Sequence, residues 1–384
     1  MNFDFGPTSL EYKEQARSLL AEELMADRLD EVHRTGTFHH WDFHRALARR
    51  GWLAPGWPVE FGGRGLDPLD VLAFQEELAD AGAPMYGAVT TMMIAGVIRE
   101  LGTPDQKAQI LPKALGGEIL IVLGFTEPEC GSDVAAAATR AVGEGDEWRI
   151  NGQKMFTTNA HVADYVFLLA RTDPNVPKHK GLTTFLVPLD QPGVTIQPVM
   201  TMSGERTNAT FYDDVRVHDS ARIGALNGGW ETMTVALTLE RTNATGGEHR
   251  RLVAAAERWA ATARAADGGL LLDDPSVAAR LARAATEARV TRLLGHRSVW
   301  LSAKGVLPGV EGSMAKLFSS ESLVRMADDL AMLAPDGLRA DDTGHGGQLD
   351  RAIRHAQPTT IYGGTSEIQR SIIAQRGLGL PRPA

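Results

Sequence analysis

Apolar residues fall near helical spacing through most of the first 115 positions. Leu10, Leu19, Leu20 and Leu24 open the pattern, and residues 68–81 (PLDVLAFQEELADA) and 105–115 repeat it. Between them, residues 52–66 are rich in Gly and Pro and read as a loop. At Glu118 the period changes. A short apolar run at 119–125 is followed by 148–150, 165–170, 182–189, 194–199 and 209–217, short strand-like stretches separated by turn residues. Asn151-Gly152 is the dipeptide expected at a hairpin turn. Helical spacing returns at Trp230, over 231–241, 250–266, 276–304 and 312–333. Helices, then strands, then helices is an α+β order, and it excludes a doubly wound parallel sheet.

Composition narrows the function. The chain has 384 residues, 43% of them hydrophobic and 23% charged, enough for two or three domains with sizeable cores. A formal net charge of −9 argues against a nucleic-acid partner, because phosphate backbones need a basic surface. A polyanionic small ligand stays open, since it requires only local cations. The single cysteine, Cys130, permits no intrachain disulfide and fits a reducing cytosol. The first ten residues lack a basic start with an apolar run, and the longest apolar stretch, 119–125, is far too short to span a bilayer. The expectation is a soluble, cytoplasmic protein with no membrane partner.

Three segments carry candidate chemistry. LGFTEPECGSD at 123–133 runs from a strand end into a loop with one hydroxyl, Thr126, and a Gly-Ser-Asp turn. Free N–H groups and small hydroxyls there suit a ring with carbonyl and nitrogen acceptors, or a pyrophosphate. An ordinary Pro/Gly turn explains the same residues. KMFTTN at 154–159 sets an aromatic beside two hydroxyls, as for a flat cofactor or for a plain amphipathic strand. In IYGGTSEIQR at 361–370, Gly363 and Gly364 let backbone approach a ligand closely, and Thr365 or Ser366 could simply cap a helix.

In this order the three segments resemble the acyl-CoA dehydrogenase family. GWLAPGWPVEFGGRGL at 51–66, LGTPDQ at 101–106 and FYDDVRV at 211–217 also look like family segments, so the likeness spans nearly the whole chain. It implies an N-terminal all-α domain (1–118), a middle β-barrel or sandwich domain (119–222) and a C-terminal four-helix bundle (223–384). It also implies FAD between the β domain and the bundle, an acyl-CoA substrate, and electrons passed to an electron-transfer flavoprotein. Phe125, Thr126, Gly131 and Ser132 would then lie at the flavin, Ser132 also near the CoA part of the substrate. Phe156 and Thr158 would contact the isoalloxazine ring, Thr365 and Glu367 the flavin side of the last loop, and Gly364 the substrate.

Two departures from the family pattern matter. Many members carry a glutamate base after the Ile-Tyr pair, where this chain has Gly363. Other branches place that glutamate on a bundle helix directly before an arginine, and LTLER at 237–241 offers Glu240 and Arg241 there. The resemblance therefore implies Glu240 as the base, with the Gly363 N–H and a ribityl hydroxyl of FAD bonding the enolate oxygen. Thr238 and Arg241 would lie on the substrate. The second departure concerns the ADP half of FAD. Arg264 remains in RAADG (264–268), but AMLAPDG (331–337) lacks the glutamine and glycine pair that relatives use. Such loss resembles bacterial members built as homodimers or as paired, unlike chains, in contrast to homotetrameric relatives. A family-fold oxidase, a carrier-protein thioester dehydrogenase and a non-catalytic partner subunit remain as alternatives.

Other signals read as scaffold. His40 and His44 stand four apart without a third ligand in reach, so no metal is expected. Gly62-Gly-Arg-Gly65 lacks the strand and helix of a dinucleotide fingerprint. Thr90-Thr-Met-Met-Ile94 falls where relatives shape the acyl pocket, although core packing accounts for it as well.

Overall fold

The computed structural model describes residues 5–240, 246–265, 267–306, 309–333 and 345–381. Six helices come first: α1 (Pro7–Glu23), α2 (Ala26–Thr35), α3 (Trp41–Arg49), α4 (Pro68–Asp80), α5 (Tyr86–Leu101) and α6 (Pro104–Leu115). Their starts are written in the sequence. Asp67 accepts from the Leu69 N–H ahead of Pro68, and Thr103 with Gln106 forms a capping box ahead of α6. The core of this unit holds Leu19, Phe43, Leu47, Phe74 and Leu78, with Trp52 stacked on Phe74 at 3.7 Å between ring centroids. Burying a side chain such as Phe74 contributes about 1.5–3 kcal/mol.

Eight strands follow among the described residues: β1 (Ile121–Gly124), β2 (Arg140–Glu144), β3 (Glu147–Lys154), β4 (Tyr165–Arg171), β5 (Leu182–Pro188), β6 (Val194–Met200), β7 (Arg206–His218) and β8 (Arg222–Ile223). They pair in the order β6-β7-β3-β2-β4-β5-β8, with β1 parallel to β4. Trp148 on β3 nonetheless meets Phe185 on β5, centroids 5.4 Å apart, although two strands separate them in the sheet. The sheet therefore folds over itself into a sandwich, filled by Ile150, Val166, Leu168, Phe185, Val187 and Val215.

The hairpin expected at Asn151-Gly152 is not there. β3 runs straight through that pair, and the β2–β3 turn is Gly145-Asp146, with Gly145 at φ 71°. Gly152 marks a bulge against β7, and a Cβ on it would sit 2.7 Å from Thr139 Cα.

The remaining α-helices among the described residues are α7 (Gly229–Glu240), α8 (Gly247–Ala260), α9 (Pro275–Ala303), α10 (Glu311–Ala331), α11 (His345–Ala356) and α12 (Ser366–Ile372). Leu252, Leu281, Leu323 and Leu349 bring α8, α9, α10 and α11 into one core, a four-helix bundle. α7 packs elsewhere: Val235, Ala236 and Leu239 join α5 and β1 in a separate cluster. Charges and amides tie the units together. Gln106 Nε2 donates to the carbonyls of Ser220 (2.7 Å) and Arg222 (2.8 Å), and buried Glu76 accepts from Arg292 (2.7 Å) and His296 (2.6 Å) on α9. No helix among the described residues is long and apolar enough to cross a membrane.

Candidate active site

β1 delivers the first loop. Phe125 is half-buried, edge-on to Phe167 at 6.0 Å between centroids. Glu127 and Cys130 then exchange backbone hydrogen bonds of 2.9 and 3.1 Å, a tight turn that leaves Gly131 and Ser132 exposed. The Thr126 hydroxyl has no partner among the described residues.

The second loop leaves β3. Phe156 adopts φ 58° and keeps 59% of its surface exposed, a left-handed backbone that costs a non-glycine residue about 1–3 kcal/mol. Its neighbours hold it there. The Thr157 N–H donates to Asn208 O (2.9 Å), Asn208 Nδ2 donates to Thr157 O (3.0 Å), and the Thr158 and Thr207 hydroxyls pair at 3.0 Å.

Two contacts bring these loops side by side. The Met155 N–H donates to the Thr126 carbonyl at 2.8 Å. Lys154, fully buried, donates to Phe125 O (3.2 Å) and Glu127 Oε1 (2.7 Å). Glu127 also accepts from the N–H groups of Ala138 (2.7 Å) and Thr139 (2.9 Å). Burial works against the charge on both members of this pair, and for Lys154 it prevails, pulling the ammonium below its ordinary value. Burial alone would raise the Glu127 carboxyl, yet Lys154 and the two backbone donors outweigh it and hold it low. Three donors at hydrogen-bond distance converge on the Glu127 carboxylate. Arg171 closes the far side of the loop, donating to the carbonyls of Ala135 and Ala137.

The third segment lies on the bundle side. Gly363 and Gly364 both have positive φ, 65° and 86°. Lys316 on α10 donates to Thr359 O at 2.5 Å and lies over the Tyr362 ring. Thr365 caps α12 by accepting from the Ile368 N–H (3.3 Å), and Glu367 is exposed in its first turn. No hydrogen bond joins this segment to the two β-domain loops among the described residues. Arg264 also stands apart, exposed in the α8–α9 turn, where it donates to Gly268 O (2.7 Å).

Glu240 is the last residue of α7. Its side chain, that of Thr238, all of Arg241 and most of 331–337 lie outside the described residues. The preceding turns of α7 are described: Met233 and Leu237 share an apolar cluster with Phe125 and Cys130. On α5, Met93 and Ile94 are buried in the core, and Thr91 bonds the Ile121 backbone (N–H at 2.9 Å).

Models of the acyl-CoA dehydrogenase N-terminal, middle and C-terminal domains match residues 7–118, 122–215 and 227–378. The acyl-CoA dehydrogenase FadE26 of Mycobacterium tuberculosis is 34% identical over 412 aligned positions, covering 100% of this chain and 99% of the relative. The chain belongs to the acyl-CoA dehydrogenase family. It is thus an oxidoreductase of a flavoprotein family, acting on acyl-CoA. Two solved structures share this acyl-CoA dehydrogenase's fold at a TM-score of 0.90. One is the Tcur3481-Tcur3483 steroid ACAD, 32% identical, and the other the ChsE4-ChsE5 complex from Mycobacterium tuberculosis, 33% identical, each matched over 100% of both chains.

Three polar side chains escaped the sequence reading: Lys154, Glu127 and Gln369. Lys154 and Glu127 sit inside two of the chemistry-bearing segments. Their signal was a charge of each sign amid small and apolar neighbours. Gln369 Nε2 donates to the carbonyls of Gly363 (3.0 Å) and Gly364 (3.4 Å), a contact that no spacing rule flags.

Proposed function

We propose that this acyl-CoA dehydrogenase acts in the cytoplasm, binds FAD and desaturates a steroid-like acyl-CoA between its α and β carbons. Glu240 takes the α proton in this reading. The observation that carries it is the packing of α7, whose Leu237 lies in one apolar cluster with Phe125. Position 240 follows three residues on, at the end of the same helix. Gly363 has no side chain to accept a proton, so another element must supply the base.

The α C–H of a thioester is a weak acid, and removing its proton drives charge onto the thioester oxygen. A donor already aimed at that oxygen lowers the barrier. The Gly363 N–H serves as that donor, a role that needs no side chain. Burial beside substrate raises the basicity of Glu240. Thr238, Arg241, Ser132 and Gly364 hold the substrate. The exposed Phe156 ring and the Thr126 hydroxyl, unpartnered among the described residues, fit a flat, acceptor-rich group, with Gly131, Thr158, Thr365 and Glu367 along it and Arg264 serving the ADP half across a subunit boundary. Bound FAD supplies the acceptor for the two electrons, which pass on to an electron-transfer flavoprotein.

A paired assembly with a related chain follows from the weakened ADP segments and from the two similar structures, both named as pairs of chains. A steroid-like acyl group follows from the steroid ACAD among them. Anaerobic flavin reduction across short, branched, long and steroid-like acyl-CoAs tests the reading. The steroid-like thioester is expected to bleach the flavin fastest. A yellow holoenzyme that none of the four classes bleaches would overturn it. A colourless chain that turns yellow only on mixing with a related chain supports the paired assembly, whereas a yellow homodimer or homotetramer contradicts it.

A further inference from the structure

We infer that Gln369 is a positioning residue for this desaturation, acting through the backbone of Gly363. The inference rests on the reading of the Gly363 N–H given above. Two adjacent glycines at φ 65° and 86° form the least restrained stretch a chain can have, because glycine populates both signs of φ with similar ease. No side chain on either residue selects the observed hand. Gln369 does so from outside: its Nε2 donates to Gly363 O at 3.0 Å and to Gly364 O at 3.4 Å. The orientation of its amide follows from chemistry, since both facing atoms are carbonyl oxygens and only the NH2 end can donate to them.

The side chain is itself held. Gln369 is 5% exposed, and its Oε1 is buried with no partner among the described residues. No competing hydrogen bond therefore draws the amide away from the two glycines. The spacing is tight as well, because a Cβ on Gly364 would meet Gln369 Nε2 at 2.7 Å. Upstream, Lys316 fixes the Thr359 carbonyl and the Tyr362 ring. The Gly363 amide thus lies between two anchors, Lys316 before it and Gln369 after it. Fixing the Gly363 carbonyl fixes the dihedral that follows Gly363, and the N–H that precedes it can then keep one direction. An enolate donor must point where charge develops before the proton leaves. Gln369 supplies that aim without touching the reacting atoms.

The test uses flavin-loaded enzyme, assembled with a related chain where one is required, and acetoacetyl-CoA as the probe. The α-methylene of this thioester ionises to an enolate that absorbs on its own, so its apparent pKa on the enzyme reads the donor directly. Wild type is expected to lower that pKa below the value of the free thioester. Gln369→Met should raise it by about one unit, a tenfold weaker enolate complex, or roughly 1.4 kcal/mol. Gln369→Leu also removes the donor with a different shape, and should shift the pKa the same way if the methionine variant folds poorly. Flavin content and Tm measured alongside separate aim from mere stability. Variants that keep the wild-type pKa, whatever their Tm, overturn the role of Gln369 alone. A wild-type enzyme that leaves the probe's pKa unmoved overturns the Gly363 reading, and the inference with it.

Discussion

Replacing Lys154 with methionine removes a buried ammonium while keeping most of the side chain's volume. In the native fold that ammonium bonds Glu127 at 2.7 Å and the Phe125 carbonyl at 3.2 Å. After the change Glu127 keeps only the Ala138 and Thr139 N–H groups, and a carboxylate 7% exposed loses its counter-charge. Breaking one side of such a pair costs about 3–5 kcal/mol. Glu127→Gln leaves an acceptor for Lys154 and should cost less, about 1–3 kcal/mol. The double variant buries no charge, so it should be more stable than Lys154→Met alone despite the extra substitution. Urea unfolding gives the four free energies, and hydrogen exchange at Ala138 and Thr139 reports the loop itself. The pH dependence has a definite sign. The folded carboxyl lies below its ordinary 4.5, so the pair's stabilisation is full above that value and is lost as pH falls through the folded one. Lys154→Met should flatten that acid limb. Single-variant costs that simply add in the double variant would refute the coupling.

Two further perturbations follow. His355 sits between Glu205 (2.6 Å) and Glu248 (3.0 Å); burial alone would lower it, but Glu248 and Glu205 outweigh that and push it up to about 10. Its stabilisation is therefore full below 6.5 and lost as pH rises toward 10. With 22–39% exposure across the three side chains, screening holds it to about 1 kcal/mol; His355→Gln should erase the alkaline slope in a stability–pH series, and an unchanged slope would contradict this. Gly36, at φ 66°, lies where a Cβ would meet Gly204 O at 2.5 Å, so Gly36→Ala should cost about 2–3 kcal/mol and loosen the helical domain from the β6–β7 hairpin, read by thermal melting.

Much of this fold was legible as periodicity. The helices at 68–80, 104–115 and 275–303 follow apolar spacing and caps that act within a few residues. β2 was not legible, because RAVGE carries no alternation and gains its place only by pairing with β3. Asn151-Gly152 misled for a related reason. A turn dipeptide and a bulge dipeptide both want a permissive glycine, and the close approach of Thr139 that decides between them is a tertiary fact. Glu127 and Lys154 are 27 residues apart, and nothing local announces that they will meet inside the protein. α7 was placed in the bundle by the family resemblance; its apolar residues are spread around the helix and do not say which neighbour covers it, and α5 and the sheet do so.

Anaerobic mixing of the Glu240→Gln holoenzyme with a steroid-like acyl-CoA that bleaches the wild-type flavin addresses the account's central claim most directly. The prediction is a variant that retains its flavin and binds the thioester, yet stays yellow, with the rate down by several orders of magnitude once the base is gone. Bleaching at the wild-type rate would take Glu240 out of the chemistry and leave only the fold and the family standing.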